Sequence, residues 1–316
     1  MKRIYRTIVI GIIIVCLALC AGCTAADTGS KSTASASQTT AKATTAKAKK
    51  KAAEKKKTTA ASPQKQAKES FSLNNYDHLS ARKQEVYDRL LEGFEAGDTY
   101  VPETLEEFED RIVDSVFFYN LLADHPEYYY LRGHSNLYEQ STTGVRTARF
   151  DMEYIYDAQE HEARQEKMQA ELLSIKKSLP PKADDFAKAK AAYDYLIKNC
   201  EYDYSYTGNS LQENETTASY ADGAMLDHKA VCSGYSRAFK WIMEAFEIPC
   251  MCVSNSEHEW NIVWLEGNYY HIDVTWADTD DNPGTRYFCV TDGEIYKDHA
   301  KPGIAVPECV VVHDED

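Results

Sequence analysis

The fold is decided by Ala230-Val231-Cys232-Ser233-Gly234-Tyr235-Ser236-Arg237-Ala238-Phe239, followed at short range by Glu257-His258-Glu259-Trp260-Asn261-Ile262-Val263 and Tyr270-His271-Ile272-Asp273-Val274-Thr275-Trp276. The first piece reads as a helix that begins at the cysteine and runs to about Phe246. A thiolate, not a thiol, is the nucleophile, and the unpaired N–H groups of a helix start favour the anion. The other two pieces are rich in aromatic and β-branched residues and flank Glu266-Gly267, the pattern of a β-hairpin. With those two residues as the loop, Leu265 pairs with Asn268, His258 falls opposite Thr275, and Asp273 lies diagonal to His258 on the same face. A register displaced by one residue would part them.

Cysteine is among the most buried residue types, so Cys232 alone reads as a small core hydrophobe. With His258 and Asp273 in register it reads as a nucleophile: the acid orients the imidazole through one ring nitrogen while the other meets the thiol. Glu257 and Glu259 are expected to add negative charge beside His258 and favour the imidazolium. The backbone N–H of Cys232 is the safest oxyanion donor, and Tyr220 is a candidate for the second. Trp260, Trp264 and Trp276 read as core. His228, four residues ahead of the cysteine, reads as a cap or a solvated side chain. A zinc site from Cys250, Cys252 and His271 is weakly signalled, because a C-x-C pair without a second knuckle is a poor metal motif. No metal and no cofactor are therefore assigned. Cys200, Cys250, Cys252, Cys289 and Cys309 permit disulfides in an oxidising compartment, and spacing names no pair.

Val-Cys-Ser-Gly-Tyr, then Ile248-Pro249-Cys250, His-Glu-Trp-Asn-Ile-Val and Ile-Asp-Val-Thr-Trp together resemble the core of the bacterial transglutaminase-like superfamily, over about Ala189 to Val290. The resemblance implies an α+β, papain-related fold with the cysteine on a helix packed against an antiparallel sheet that bears the histidine and the acid. It also implies Cys232 as nucleophile, His258 as general base and acid, and Asp273 as orienter. Glu259 stands where a small residue is common, and Glu247 where Gly usually precedes Ile-Pro. The function expected is a thiol-dependent acyl transferase or hydrolase acting on amide bonds of a protein or peptide, cell-wall material included. The alternative is a catalytically silent binding or scaffold module on the same fold.

The rest of the chain supplies an address. Residues 1–23 carry +3 and residues 24–69 carry +8, which leaves −26 of the total of −15 on residues 70–316. Such an acidic body excludes nucleic-acid binding through phosphate contacts. Lys2, Arg3 and Arg6 precede an apolar run from Thr7 to Leu19, too short to span a bilayer and suited to a signal peptide. Ala21-Gly22-Cys23 resembles a bacterial lipobox, with Cys20 where Leu is usual. Residues 1–23 are therefore expected to be a lipoprotein signal peptide, Cys23 the lipidated residue, and the body a monomer anchored by lipid on the extracellular face of the cell membrane. Residues 24–69 are almost all Ala, Thr, Ser, Lys and Gln and read as a disordered linker.

Residues 70–182 read as a mainly helical region before a transglutaminase-like domain over 183–316. Val86, Leu90, Leu91 and Phe94 mark one helix, and Ala158–Ser178 and Asp185–Asn199 two more. Leu105, Phe108, Ile112, Val116 and Leu121 suggest a single helix opened by Pro102. Tyr128–Leu131 and Thr147–Tyr156 read as strands.

Overall fold

The computed structural model describes residues 71–144, 146–206, 216–279 and 285–313, with the backbone alone for 132–136. The chain divides into Met1–Lys65 and Gln66–Asp316, and the described residues all belong to the second unit. The expected signal segment, Cys23 and the linker lie outside them.

In helix α1 (Ala81–Ala96) the Ser80 side chain accepts from the Lys83 N–H, Gly97 ends the helix in the left-handed region, and Val86, Leu90 and Phe94 are buried. The expected helix from Pro102 is instead strand β1 (Tyr100–Glu103) followed by two short helices, α2 (Leu105–Glu109) and α3 (Ser115–Asp124). The reason is local. Thr104 and Glu107 form a reciprocal capping box, a stronger start signal than Pro102. Pro102, which has no N–H to donate, sits on an edge strand opposite Arg149. Arg111, at φ 51°, separates the two helices. Pro126–Tyr128 is a 3₁₀ turn, and the strand expected there begins only at Leu131. Strands β2 (Leu131–Gln140) and β3 (Arg146–Tyr154) join β1 in an antiparallel sheet of order β1-β3-β2. Helices α4 (Ala158–Ser178) and α5 (Asp185–Asn199) follow, capped by Asp157 and Asp184.

The second half is built around one buried helix. Strand β4 (Glu201–Tyr202) runs parallel to β5 (Lys229–Ala230), and His228 ends the π-turn Gly223–Asp227 at φ 57°, exposed to solvent. Helix α6 (Cys232–Ala245) then begins at the cysteine. Residues Ser233 to Lys240 are all buried, because α6 packs on α5 and on strands β6 (Cys250–Ser254) and β7 (Glu259–Leu265) at once. Fully burying side chains such as Phe239 and Ile242 is worth about 1.5–3 kcal/mol each. Between α6 and β6, Glu247 adopts φ 60°, the conformation that makes glycine the easier residue there.

The hairpin has the expected register. Leu265 pairs with Asn268 at the head of strand β8 (Asn268–Ile272), and Val263 with Tyr270. Glu266 and Gly267 both have positive φ, 48° and 90°, as a two-residue type I′ loop requires. The sheet has order β6-β7-β8 and carries a core on each face. One faces α5 and α6; the other holds Met251, Val253, Trp260, Ile262 and Cys309. Pairing stops at Asn261 with Ile272. The expected strand through Trp276 is therefore cut short at Asp273, and Val274–Thr279 is helix α7. A last short helix, α8 (Asp292–Ile295), precedes the C-terminal segment. The architecture is mixed helix and sheet.

Candidate active site

Cys232 opens α6, whose N-cap Val231 makes no side-chain cap, so it stands at a helix start whose first N–H groups have no partner within the helix. The approach is held tight by Gly234. A Cβ there would meet the Ala218 carbonyl oxygen at 2.2 Å and the Ala230 Cβ at 2.9 Å. The Ala218 oxygen also accepts from the Val231 N–H, so backbone closes on the helix start. Cys232 is half-buried, whereas Cys200, Cys250, Cys252, Cys289 and Cys309 are buried. Cys200, Cys232, Cys250, Cys252 and Cys309 are free thiols. Burial pushes the Cys200 and Cys250 thiols up to about 12.

His258 precedes β7 in a loop fixed by Asn255, whose Oδ1 accepts from the N–H groups of Glu257 and His258. Its Nε2 lies 2.7 Å from Asp273 Oδ2. The Cys232 side chain acts on the same ring and favours its charge; since Nε2 is spent on Asp273, Nδ1 is the nitrogen left for the sulfur. Burial disfavours charge on His258, but the bonds to Asp273 and Cys232 outweigh it and hold its pKa at about 10. Asp273 is buried and caps α7, its Oδ1 accepting from the Trp276 N–H at 3.0 Å. Burial pushes the Asp273 carboxyl up, yet its imidazole partners prevail and keep it below the ordinary range. The three residues proposed from sequence thus meet, although His258 and Asp273 are joined at the end of the sheet and not within its ladder.

Other expectations change. Glu259 does not stand beside His258: it is buried under α6, accepting from Tyr119 and Ser236, with Arg237 Nε 4.0 Å away. Strand alternation explains this, since neighbours point to opposite faces. The Arg237 guanidinium lies over the rings of Tyr119 (4.6 Å) and Tyr220 (5.5 Å) and donates to the Ser219 carbonyl. Tyr220 is therefore packed in this buried layer, while the ionisations of Tyr202 and Tyr119 feel the Cys232 charge. Asn261 ties β7 to α6 by donating to the Ser236 carbonyl. Tyr119 and Tyr202 carry no motif of their own; the β4–β5 pairing of Tyr202 with Ala230 becomes visible only in the fold.

One further histidine enters. His299 is buried, with Nε2 2.8 Å from Asp273 Oδ2 and Nδ1 2.7 Å from Asp298 Oδ1. No sequence pattern marks it.

Among the described residues, two clusters carry enough ligand atoms to raise the question of a metal: His258, Asp273, His299 and His271, Asp292, Cys309. In the first, the nitrogen–oxygen separations are 2.7 and 2.8 Å. A zinc ion bonded to both atoms at about 2.0–2.1 Å would hold them roughly 3 Å or more apart. In the second, His271 Nδ1 accepts from the Trp260 indole N–H at 3.0 Å and Nε2 faces Asp292 at 2.9 Å. A neutral ring then carries its proton on Nε2, with no lone pair there for an ion. The trio Cys250, Cys252 and His271 does not converge. His271 pairs with Ile262, and Ile262 with Met251, whereas Cys252 pairs with Asn261, which sets the cysteines and His271 on opposite faces.

A helix-borne cysteine, a histidine at a strand start and a buried aspartate define a thiol site on an α+β fold. Residues 174–274, which contain all three, match the family model of the Transglutaminase-like superfamily. Kyphoscoliosis peptidase of Homo sapiens is 24% identical over 109 residues, 29% of this chain and 16% of that protein. Among solved structures, a TGase is 16% identical with a TM-score of 0.32, over 52% of this chain and 48% of that one. A chain from Cytophaga hutchinsonii described as a cysteine protease is 15% identical with a TM-score of 0.27, over 46% and 62%. The chain thus covers less than two thirds of each of these relatives.

Proposed function

We propose that this protein is a thiol-dependent acyl transferase or hydrolase acting on amide bonds, with Cys232 as nucleophile, His258 as acid and base, and Asp273 as orienter. The observation that carries the reading is the division of the His258 ring, with Nε2 held by Asp273 at 2.7 Å and Nδ1 left to the thiol. The Cys232 thiolate attacks the amide carbonyl carbon, and the helix-start N–H groups receive the developing oxyanion. His258 passes its Nδ1 proton to the departing amine as the C–N bond breaks, leaving a thioester. An incoming amine or water gives that proton back to His258 as it attacks. An amine yields a new amide and water a carboxylate, and both regenerate the thiol site. The −26 body favours a basic peptide or Lys-bearing acceptor, and the lipobox-like Ala21-Gly22-Cys23 supports a monomer held by lipid on Cys23 at the outer face of the membrane, near cell-wall substrates.

The test is to incubate the chain with amide-bearing peptides and a labelled primary amine. The expected result is an acyl adduct on Cys232 by mass spectrometry, labelled amide or free acid as product, and neither with Cys232→Ala. No adduct, together with a Cys232 that alkylates like a free thiol, rejects the reading in favour of a silent module.

A further inference from the structure

His299 lies beyond the residues matched by the family model, yet it shares an acceptor atom with His258. Asp273 Oδ2 takes His258 Nε2 at 2.7 Å and His299 Nε2 at 2.8 Å. The other His299 nitrogen meets Asp298 Oδ1 at 2.7 Å. Each remaining partner recorded for the two carboxylates is a donor: the Trp276 N–H on Asp273, and Arg286 Nη2 and the Tyr287 hydroxyl on Asp298 at 3.0 Å each. With both carboxyls ionised they can only accept, and the contact pattern then calls for a proton on each His299 ring nitrogen between them. His299 has no solvent-exposed side-chain surface. Around it stand the rings of Trp276 at 4.0 Å, Trp260 at 5.2 Å, His258 at 5.3 Å and Tyr287 at 5.8 Å, and His271 feels its charge. The two histidine segments are also tied through backbone, because Asn255, which fixes the His258 loop, donates to the Ala300 carbonyl at 3.1 Å.

We propose that His299 is a positioning residue of this site: a buried imidazolium that anchors Asp273 through the same Oδ2 that holds His258 and tempers the negative charge Asp273 presents to that ring. The proposal rests on the Cys232–His258–Asp273 reading. Two consequences follow with opposite dependence on charge. A neutral donor in place of His299 keeps Asp273 anchored but removes a like charge from beside His258, so His258 holds its proton to higher pH. A side chain with no donor leaves Asp273 free to turn.

The experiment is the rate of Cys232 carboxymethylation by iodoacetate against pH, read by peptide mass spectrometry on the full chain. Iodoacetate is drawn by the imidazolium, so its rate falls where His258 loses its proton. His299→Gln should keep the plateau within about threefold of the unmodified chain and move the alkaline fall upward by about one pH unit. His299→Ala should lower the plateau about tenfold, less than loss of an orienting acid costs. Profiles that superimpose for all three chains, or a Gln variant as slow as the Ala variant, overturn the proposal. Nitrogen NMR of the unmodified chain decides the charge without any variant: both His299 ring nitrogens protonated at neutral pH is expected, and a bare nitrogen overturns it. An ordinary, slow Cys232 in the unmodified chain would instead bring down the triad reading first, an outcome visible before either variant is made.

Discussion

The domain holds the same three functional groups twice: Cys232, His258 and Asp273 at the start of α6, and Cys309, His271 and Asp292 behind the sheet. In both, a thiol, an imidazole and a carboxylate come close together, and in both the histidine Nε2 faces the acid. The second nitrogen separates them. His258 turns it toward a half-buried sulfur, whereas His271 spends it on the Trp260 indole. Burial then lowers the His271 pKa despite Asp292, while His258 is raised. Cys309 has no exposed surface and leans on the Pro307 carbonyl, and burial pushes its thiol upward. Residue types alone do not make a reactive site. The free nitrogen, the helix start and access make it.

The largest expected effect tests that contrast directly. At pH 6, iodoacetamide should label Cys232 and leave Cys309 untouched in the folded chain. His258→Ala removes the imidazolium that favours the thiolate, so the Cys232 rate at pH 6 should fall about 300-fold, to that of an ordinary free thiol. The sign with pH follows from the raised His258 pKa: the thiolate–imidazolium pair persists as pH rises past the ordinary histidine range and is lost only near pH 10. Equal labelling of Cys232 in both chains, resolved by peptide mass spectrometry, would erase the distinction. Next in size is Gly234→Ala, which forces a Cβ to within 2.2 Å of a backbone oxygen. Overpacking of this kind costs about 3 kcal/mol. Urea unfolding should show that loss, and a loss below about 1 kcal/mol would mean the helix start is not closed as tightly as its backbone contacts imply.

The Cys232 cluster was legible because its signals are local. Glu266-Gly267 announces a two-residue turn, and that turn fixes which face each partner takes, so His258 and Asp273 could be brought together by counting. Counting fails where the chain leaves the ladder: Val274-Thr275-Trp276 has strand composition, but the Asp273 carboxylate caps a helix there. Alternation alone turns Glu259 away from His258, but its partner Tyr119, 140 residues distant, leaves no spacing to count. His299 lies 26 residues from Asp273 in a segment of no recognisable period. Such tertiary hydrogen bonds leave no spacing to read, and Cys309 was likewise a lone cysteine until the fold set it beside His271.

The smallest predicted effect concerns the silent cluster. Trp260→Phe preserves an aromatic face beside His258 but deletes the N–H that occupies His271 Nδ1. The nitrogen is then a buried acceptor without a donor, which costs about 1–3 kcal/mol. Moving the proton to Nδ1 offers no escape, because Nε2 would then turn a lone pair toward the Asp292 carboxylate. Stability by urea unfolding should therefore fall by that amount while the Cys232 alkylation rate stays within about twofold. If the substitution instead slowed Cys232 as His258→Ala does, the two clusters would be one coupled network, and the indole would owe its place to the reactive histidine and not to the quiet one.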